Sequence, residues 1–315
     1  VELEGKTYQI TELIKEFEHD VLQFTESISY FLFPKKLEWN IDSSSRALNA
    51  KAKLMRALGK KIITARIEEL MSDPASIHDN PDLLTSMIDA HLDGRPVSEC
   101  TQIIDLDLLV AECVTFVTAG SETTSVLLTS AFHFMTTKPE ILVNLRKELM
   151  SVIGDQFQKD PEHIIVDFPK IDKLPYLHGV VLESLRLLPS VPSVIPKVAT
   201  VDIEIEGLKI KKGTQVGISP YASHRNPLYW KDPLEFNPER KEYDEKDLRF
   251  LPFLSGKRSC LGQFFALMEA KIAITKFALT MDVECNQEDI GDLQAKLVLW
   301  WKNGVKADIK KAQSQ

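Results

Sequence analysis

Between Phe253 and Gly262 the chain reads FLSGKRSCLG, which sets Phe253, Gly256, Arg258, Cys260 and Gly262 at the spacing F-x-x-G-x-R-x-C-x-G. An apolar-periodic run follows at once, to Phe277, and predicts a helix. A thiolate at a helix start is stabilised by the unpaired backbone N–H groups and the positive end of the dipole, and Arg258 adds a nearby cation. Glycines let the backbone pass close to a flat ligand where a side chain would collide. Together these are the requirements of a soft metal ligand. An isolated cysteine reads more readily as a small buried hydrophobe; the five matched positions together reverse that reading.

A second set, AGSETT from Ala119 to Thr124, interrupts a long apolar run from about Asp105 to Thr137. Glycine inside a helix costs about 1 kcal/mol, and an acid with two threonines adds polar groups that need partners. A close-packed flat cofactor explains Gly120, while the hydroxyls can bond back to the preceding turn and bend the helix into a small niche. Glu122 can carry protons, and Thr123 can hydrogen-bond a small bound oxidant. Alone, the hexapeptide is a weak signal and reads more readily as a satisfied polar kink. The third set is Glu183 and Arg186 in LESLRLLP, three residues apart with the acid first, the favourable helical order. A solvated pair would contribute little, but the flanks Val180, Val181, Leu182, Leu185, Leu187 and Leu188 predict burial, which demands complete hydrogen bonding.

The elements that must position these residues are mostly helical. TYQITELIKEFEHDVLQFTESISYFLF, SSSRALNAKAKLMRALGKKIITARIEELM, DLLTSMIDAHL, PEILVNLRKELMSVIG and LPYLHGVVLESLRLL all carry helical spacing, and the Asp105 run is apolar on nearly every face, which predicts central burial. Pro139 opens one helix and a glycine is expected to follow its end. From Lys197 the pattern KVATVDIEIEGLKIKKGTQVGI alternates, predicting a small sheet, and MDVEC, AKLVLWW and VKADI predict short strands after the last helix. The expected class is mainly α with a small β part. His133 and Met135 read as packing residues, His178 as exposed, and Lys257, Arg258 and Lys271 as a basic patch or a solvated face.

With 315 residues, 44% hydrophobic and 27% charged, the chain has material for a large core, and a net charge of −8 argues against nucleic acid as a partner. Cys100, Cys113, Cys260 and Cys285 form no C-x-x-C pair, which removes zinc and covalent c-type heme attachment. No run of about 18 apolar residues predicts a transmembrane helix.

The cysteine loop resembles that of the cytochrome P-450 superfamily of heme-thiolate monooxygenases, and the resemblance is complete over the motif. It implies that Cys260 is the axial iron ligand, that Phe253 shields the sulfur, and that Arg258 pairs with a heme propionate; thiolate donation in this family favours O–O cleavage. The family's small-Gly-x-acid-Thr pattern makes Glu122 and Thr123 a proton-delivery pair, with Ala119 and Gly120 against the cofactor. Its E-x-x-R pair is similar to Glu183 and Arg186, and Arg240 of Pro238-Glu239-Arg240 supplies the third member as structural support. Lys241 stands where phenylalanine is usual, which puts an aromatic contact in doubt. YASHRNPLYWKDPLEFNPER resembles the segment before the loop in eukaryotic-type members and places His224 at a propionate. Lys197 occupies the place of a propionate-binding arginine, keeping charge without the bidentate fork.

The likeness is dense from about Leu106 to Phe277 and thin before it. Trp39 is followed by Asn40, Ile41, Asp42 and Ser43, so the family's W-x-x-x-R helix is absent. The expectation is therefore a P-450 fold without its N-terminal portion, a single heme domain over 1–315, helical over 1–190 with a small sheet and heme-loop region over 191–315. Heme b is the implied cofactor. NADPH serves through a reductase or another electron donor, dioxygen is the oxidant, and a lost N-terminal anchor implies the endoplasmic reticulum membrane. Phe116, Ala119, Val191, Val194, Ile195 and Leu299 are the expected pocket lining, apolar enough for a lipophilic substrate. Two rivals stand beside the monooxygenase: a truncated, non-catalytic heme-binding or regulatory protein, and an unrelated helical scaffold with an inert Cys260.

Overall fold

The computed structural model describes residues 2–3, 6–7, 9–26, 43–77, 81–159, 165–194, 196–241, 248–284, 292–295, 297–302 and 304–312. The chain divides into two compact units, Val1–Ser121 and Glu122–Gln315.

The first unit opens with an antiparallel hairpin, β1 (Glu2–Leu3) and β2 (Lys6–Thr7), followed by α1 (Ile10–Glu26), α2 (Ser43–Ser72), α3 (Leu83–Leu92), α4 (Cys100–Ile103) and the start of α5 (Leu106–Thr137). Ile63, Ile67 and Leu70 recur on one face of α2 and share a core with Ile88 and Leu92 of α3 and Leu109 and Val110 of α5. Asp82 caps α3 by accepting the Thr85 N–H at 2.7 Å, and Asp93 ends it in the left-handed region at φ 51°. The expectation that α5 is buried on every face fails in this unit. Its core reaches Leu109, Val110 and, in part, Cys113 and Val114; Val117 is 42% exposed and Ala119 and Gly120 are exposed.

In the second unit the rest of α5 is followed by α6 (Pro139–Lys159), α7 (Phe168–Ile171), α8 (Pro175–Leu187), α9 (Pro220–Ser223) and α10 (Gln263–Thr280). Four antiparallel pairs accompany them: β3 (Lys197–Val198) with β6 (Gln215–Val216), β4 (Ile203–Ile205) with β5 (Leu208–Ile210), β7 (Met281–Glu284) with β10 (Asp308–Lys311), and β8 (Leu293–Ala295) with β9 (Leu299–Trp301). The alternating stretch from Lys197 is thus one hairpin, β4 with β5, enclosed between the paired outer strands β3 and β6, and the three tail segments contain strands as expected. Helix α6 does not stop at Gly154 but runs to Lys159, because Asp155–Lys159 supplies no residue that breaks it.

Helix α6 fixes the ends of the two helices that matter most below. The Glu148 carboxylate accepts the Tyr176 and Leu177 N–H groups, both at 2.8 Å, which satisfies donors orphaned at the start of α8. Arg146 donates to the Ala278 carbonyl at 2.6 Å, the Met281 carbonyl at 2.7 Å and the Asp282 carboxylate at 2.7 Å, closing the end of α10. Leu145, Leu149, Leu177, Val180, Val181, Ile274 and Ala278 form the core between them. On the other side of α8, Gly179 lies so close to the chain at Pro238 that a Cβ there would stand 1.8 Å from the Pro238 carbonyl oxygen. Backbone cannot yield as a flexible side chain does, so Gly179→Ala is expected to destabilise the fold by about 3 kcal/mol or more, read as a lowered denaturation midpoint. An unchanged midpoint would show that this contact is not part of the folded state.

Candidate functional site

Cys260 sits at the end of a loop closed by its own backbone. Its N–H donates to the Phe253 carbonyl at 2.8 Å, Ser259 N–H to the Gly256 carbonyl at 3.1 Å, and a 3-10 turn, Gly256–Arg258, fills the space between. Gly256 supplies the left-handed conformation this turn needs, at φ 70°, and Leu254 is held at φ 60°. Gly262 then caps α10, and a Cβ added to it would lie 4.0 Å from the Cys260 sulfur, so glycine keeps that side of the sulfur open. Phe253 is half-buried and packs against the main core, whereas Cys260 is a free, exposed cysteine and Arg258 is exposed.

Behind the loop lies a buried ionic network. Glu183 and Arg186 on α8 are fully buried and Arg240 is 9% exposed. Arg186 Nε meets Glu183 Oε1 at 2.5 Å and its Nη2 meets Oε2 at 2.9 Å, a two-pronged pair. Arg240 Nε joins Oε1 at 3.1 Å and the Asn237 N–H joins Oε2 at 2.8 Å. The other guanidinium bonds go to backbone carbonyls: His224, Pro233 and Glu235 for Arg186, and Lys231, Asp232 and Glu235 for Arg240. Trp230 covers Arg186 at 5.5 Å from its ring centre.

His224 connects this network to the loop. Its carbonyl accepts from Arg186 at 2.9 Å, and its Nε2 accepts the Leu251 N–H at 2.9 Å, two residues before Phe253. The ring is fully buried between Trp230 and Phe250. Desolvation pushes its pKa down to about 4, assisted by the Arg186 and Arg225 charges and opposed by nearby carbonyls of Arg186 and Leu185. The expected propionate contact of His224 therefore gives way to a different arrangement: a buried neutral imidazole committed to the backbone of the loop.

On α5, Ser125 Oγ donates to the Glu122 carbonyl at 2.7 Å, and the Thr123 carbonyl accepts from Ser190 Oγ at 2.6 Å. Neither serine stood out in the sequence; neither Ser125 in the apolar helix nor Ser190 in the bend after α8 carries a mark of which carbonyl it will take. Glu122 and Leu299 line one cavity of about 330 Å³ with Ser125, Thr129, Val298 and Trp300. Leu299 N–H donates to the Ser190 carbonyl at 2.9 Å, which sets it beside the turn carrying Val191, and Val194 N–H donates to the Ile218 carbonyl at 2.9 Å. Ile195 lies outside the described residues, as do Cys285 and Trp39. Phe116 is half-buried on the first unit's stretch of α5, with the exposed Ala119 and Gly120; among the described residues, nothing beyond the helix's own neighbouring chain lies within 4 Å of a Cβ added at Gly120. Lys197 is exposed on β3.

Two sequence expectations are corrected. Lys271 belongs to no surface patch: it is 3% exposed and donates to the Asp172 carboxylate at 2.6 Å, because its helix face turns toward the start of α8. His178 is not exposed but half-buried, in the first turn of α8. His133 and Met135 do pack, the former beside Trp301.

The donor set suits heme. A free thiol is presented next to a glycine, at a helix start, among apolar side chains left open to solvent: Leu261 83%, Phe264 69% and Phe265 59% exposed. Exposed apolar surface around a soft ligand is the chemistry of an apolar, iron-bearing group.

The comparisons agree with this geometry. The family model for cytochrome P450 matches residues 2–306, and this chain belongs to that family, whose cofactor is heme b. It is 36% identical over 206 residues to cytochrome P450 4V2 of Rattus norvegicus, covering 64% of this chain and 38% of the relative. It is 34% identical over 215 residues to cytochrome P450 3A2 of Rattus norvegicus, covering 67% of this chain and 41% of the relative. The chain thus spans about two fifths of the length of the curated relatives it matches. The crystal structure of a cytochrome P450, CYP102L1, shares the fold at a TM-score of 0.73 and 24% identity, over 98% of this chain and 63% of that one.

Two outcomes follow from the network. Glu183→Gln leaves two buried guanidinium groups without their counter-charge and is expected to cost about 3–5 kcal/mol in chemical denaturation; a loss below 1 kcal/mol would contradict the burial. For His224 the unfolded chain takes up its proton first, near pH 6.5, while the folded ring resists to about pH 4. Its contribution is therefore complete above pH 6.5 and is lost as pH falls toward 4, by about 3 kcal/mol at the limit. His224→Gln, whose amide oxygen can still accept from Leu251, should flatten that part of the stability curve, and an unaltered slope would place the acid sensitivity elsewhere.

Proposed function

We propose that this chain carries the heme-thiolate centre of a monooxygenase acting on a lipophilic small molecule. The observation that carries the reading is the exposed Cys260 sulfur, held at the start of α10 by the bond from its N–H to Phe253 and kept accessible by Gly262. When bound there, heme supplies the activation of dioxygen with two electrons and the transfer of one oxygen atom into a C–H bond, with water as the other product.

Cys260 holds the iron as thiolate, and the helix start with Arg258 favours its negative charge. Phe253, half-buried beside the core, is the residue that would shield the sulfur once the heme is bound. The exposed cations Arg258 and Lys197 are the groups proposed for the propionates. Glu122 would hold and pass protons and Thr123 would offer a hydrogen bond to the oxidant; Ser125 and Ser190, bonded to the carbonyls of that turn, fix its shape. Val191, Val194 and Leu299 present the apolar surface for substrate, and Leu299 shares its cavity with Glu122. An NADPH-dependent reductase or another electron donor supplies the electrons. The endoplasmic reticulum membrane is the proposed location; among the described residues no helix is long and apolar enough to cross a membrane.

The test is spectroscopic. Chain loaded with heme, reduced and exposed to carbon monoxide, is expected to show the strongly red-shifted Soret band of thiolate ligation, and Cys260→Ser to lose it while keeping its far-UV circular dichroism. Loaded chain without that band would overturn the assignment.

A further inference from the structure

A cavity of about 630 Å³ opens on the second unit beside the cysteine loop, with Leu261 and Phe264 in its wall, and shares no lining residue with the cavity of Glu122 and Leu299. Its walls are α7, the turn Asp172–Leu174, the first turns of α8 and one face of α10. Gln263, Phe264, Leu267 and Lys271 fall on a single stripe of α10 by helical spacing, so the helix presents a mixed polar and apolar strip to the space. Phe168 stands edge-on to Phe264 at 6.1 Å, and Leu174 and Pro175 complete an apolar wall.

Lys271 is the unusual component. An ammonium 3% exposed in an apolar helix is costly unless its protons are used. It has three donors, and two go to one residue: Asp172 Oδ1 at 2.6 Å and the Asp172 carbonyl at 3.1 Å. The third has no acceptor among the described residues, and the residue that carries it lines the cavity. Around it stand further donors, the Gln263 amide, the His178 imidazole and the Lys173 ammonium. Asp172, the acidic group of the lining, is neutralised by Lys271, so Lys173 leaves the site with a net positive charge.

We infer that this cavity binds a small amphipathic carboxylate, an aryl- or alkyl-carboxylic acid. Its head accepts the third Lys271 proton with help from Gln263 and Lys173, and its apolar body lies between Phe168, Phe264 and Leu267. The volume lies in the range of small-molecule sites. A single spare buried donor suits one carboxylate rather than a polyphosphate, which would need several cations and a run of backbone N–H groups. Binding needs no heme and does not rest on the proposed oxidation chemistry.

Calorimetric titration of the full chain with 3-phenylpropionate and with its neutral analogue 3-phenylpropanamide tests this. The acid is expected to bind at least tenfold more tightly than the amide. Lys271→Met should erase that preference, Phe264→Ser should weaken both ligands at least fivefold, and Cys260→Ser should change neither. Equal binding of acid and amide, or a preference that survives Lys271→Met, overturns the inference. Should Lys271→Met fail to fold, Gln263→Glu sets a second carboxylate among the donors and must weaken the acid tenfold while sparing the amide; an unaffected acid has the same negative meaning.

Discussion

The carboxylate of Glu183 receives Arg186 twice, Arg240 once and the Asn237 N–H once, so all of its acceptor capacity is used where no water reaches. Desolvating three charges this completely is unfavourable in itself. What the arrangement gains is position. The two arginines carry one positive charge more than the glutamate neutralises, and backbone carbonyls between His224 and Glu235 absorb it. A segment with little regular structure of its own is thereby fixed on α8 by the groups that every chain possesses, its carbonyls.

From there the order passes to the cysteine in three hydrogen bonds. Arg186 holds the His224 carbonyl, His224 Nε2 holds Leu251 N–H, and the Phe253 carbonyl holds Cys260 N–H, each at 2.8 to 2.9 Å. The sulfur is therefore located by buried structure although it is itself exposed. An exposed ligand must be positioned from behind, since its own surroundings are solvent or the group it binds. Helix α6 contributes in the same sense by capping the ends of α8 and α10 through Glu148 and Arg146.

The candidate site residues were legible in the sequence because their types conflict with their settings: an acid and glycine in an apolar helix, a charged pair among leucines, a cysteine in a basic glycine loop. The helices and hairpins were legible from periodicity. What was not legible is relational. Gly179 matters only because Pro238 crosses it, and Ser190 only because Thr123 lies within 2.6 Å. Glu148 and Arg146 look like ordinary members of a charged helix face. His224 was placed at a propionate by its segment's resemblance and Lys271 on the surface by its charge; for both, burial is decided by chain segments 27 and 99 residues away, which neither cue shows.

The same reasoning bears on the long helix α5. Its apolarity on nearly every face is a property of the sequence, but burial needs neighbours, and around Val117 to Gly120 the structure leaves it open. Beyond its own helix, Gly120 has no described atom within reach of a missing Cβ, so its cost to the helix is not offset by packing within the described chain. A missing side chain leaves room there of the kind that a flat apolar group could occupy, which is the place the proposed cofactor would take on this helix. The open glycine on α5 and the open side of the sulfur at Gly262 are thus one kind of feature, space kept by the absence of a Cβ.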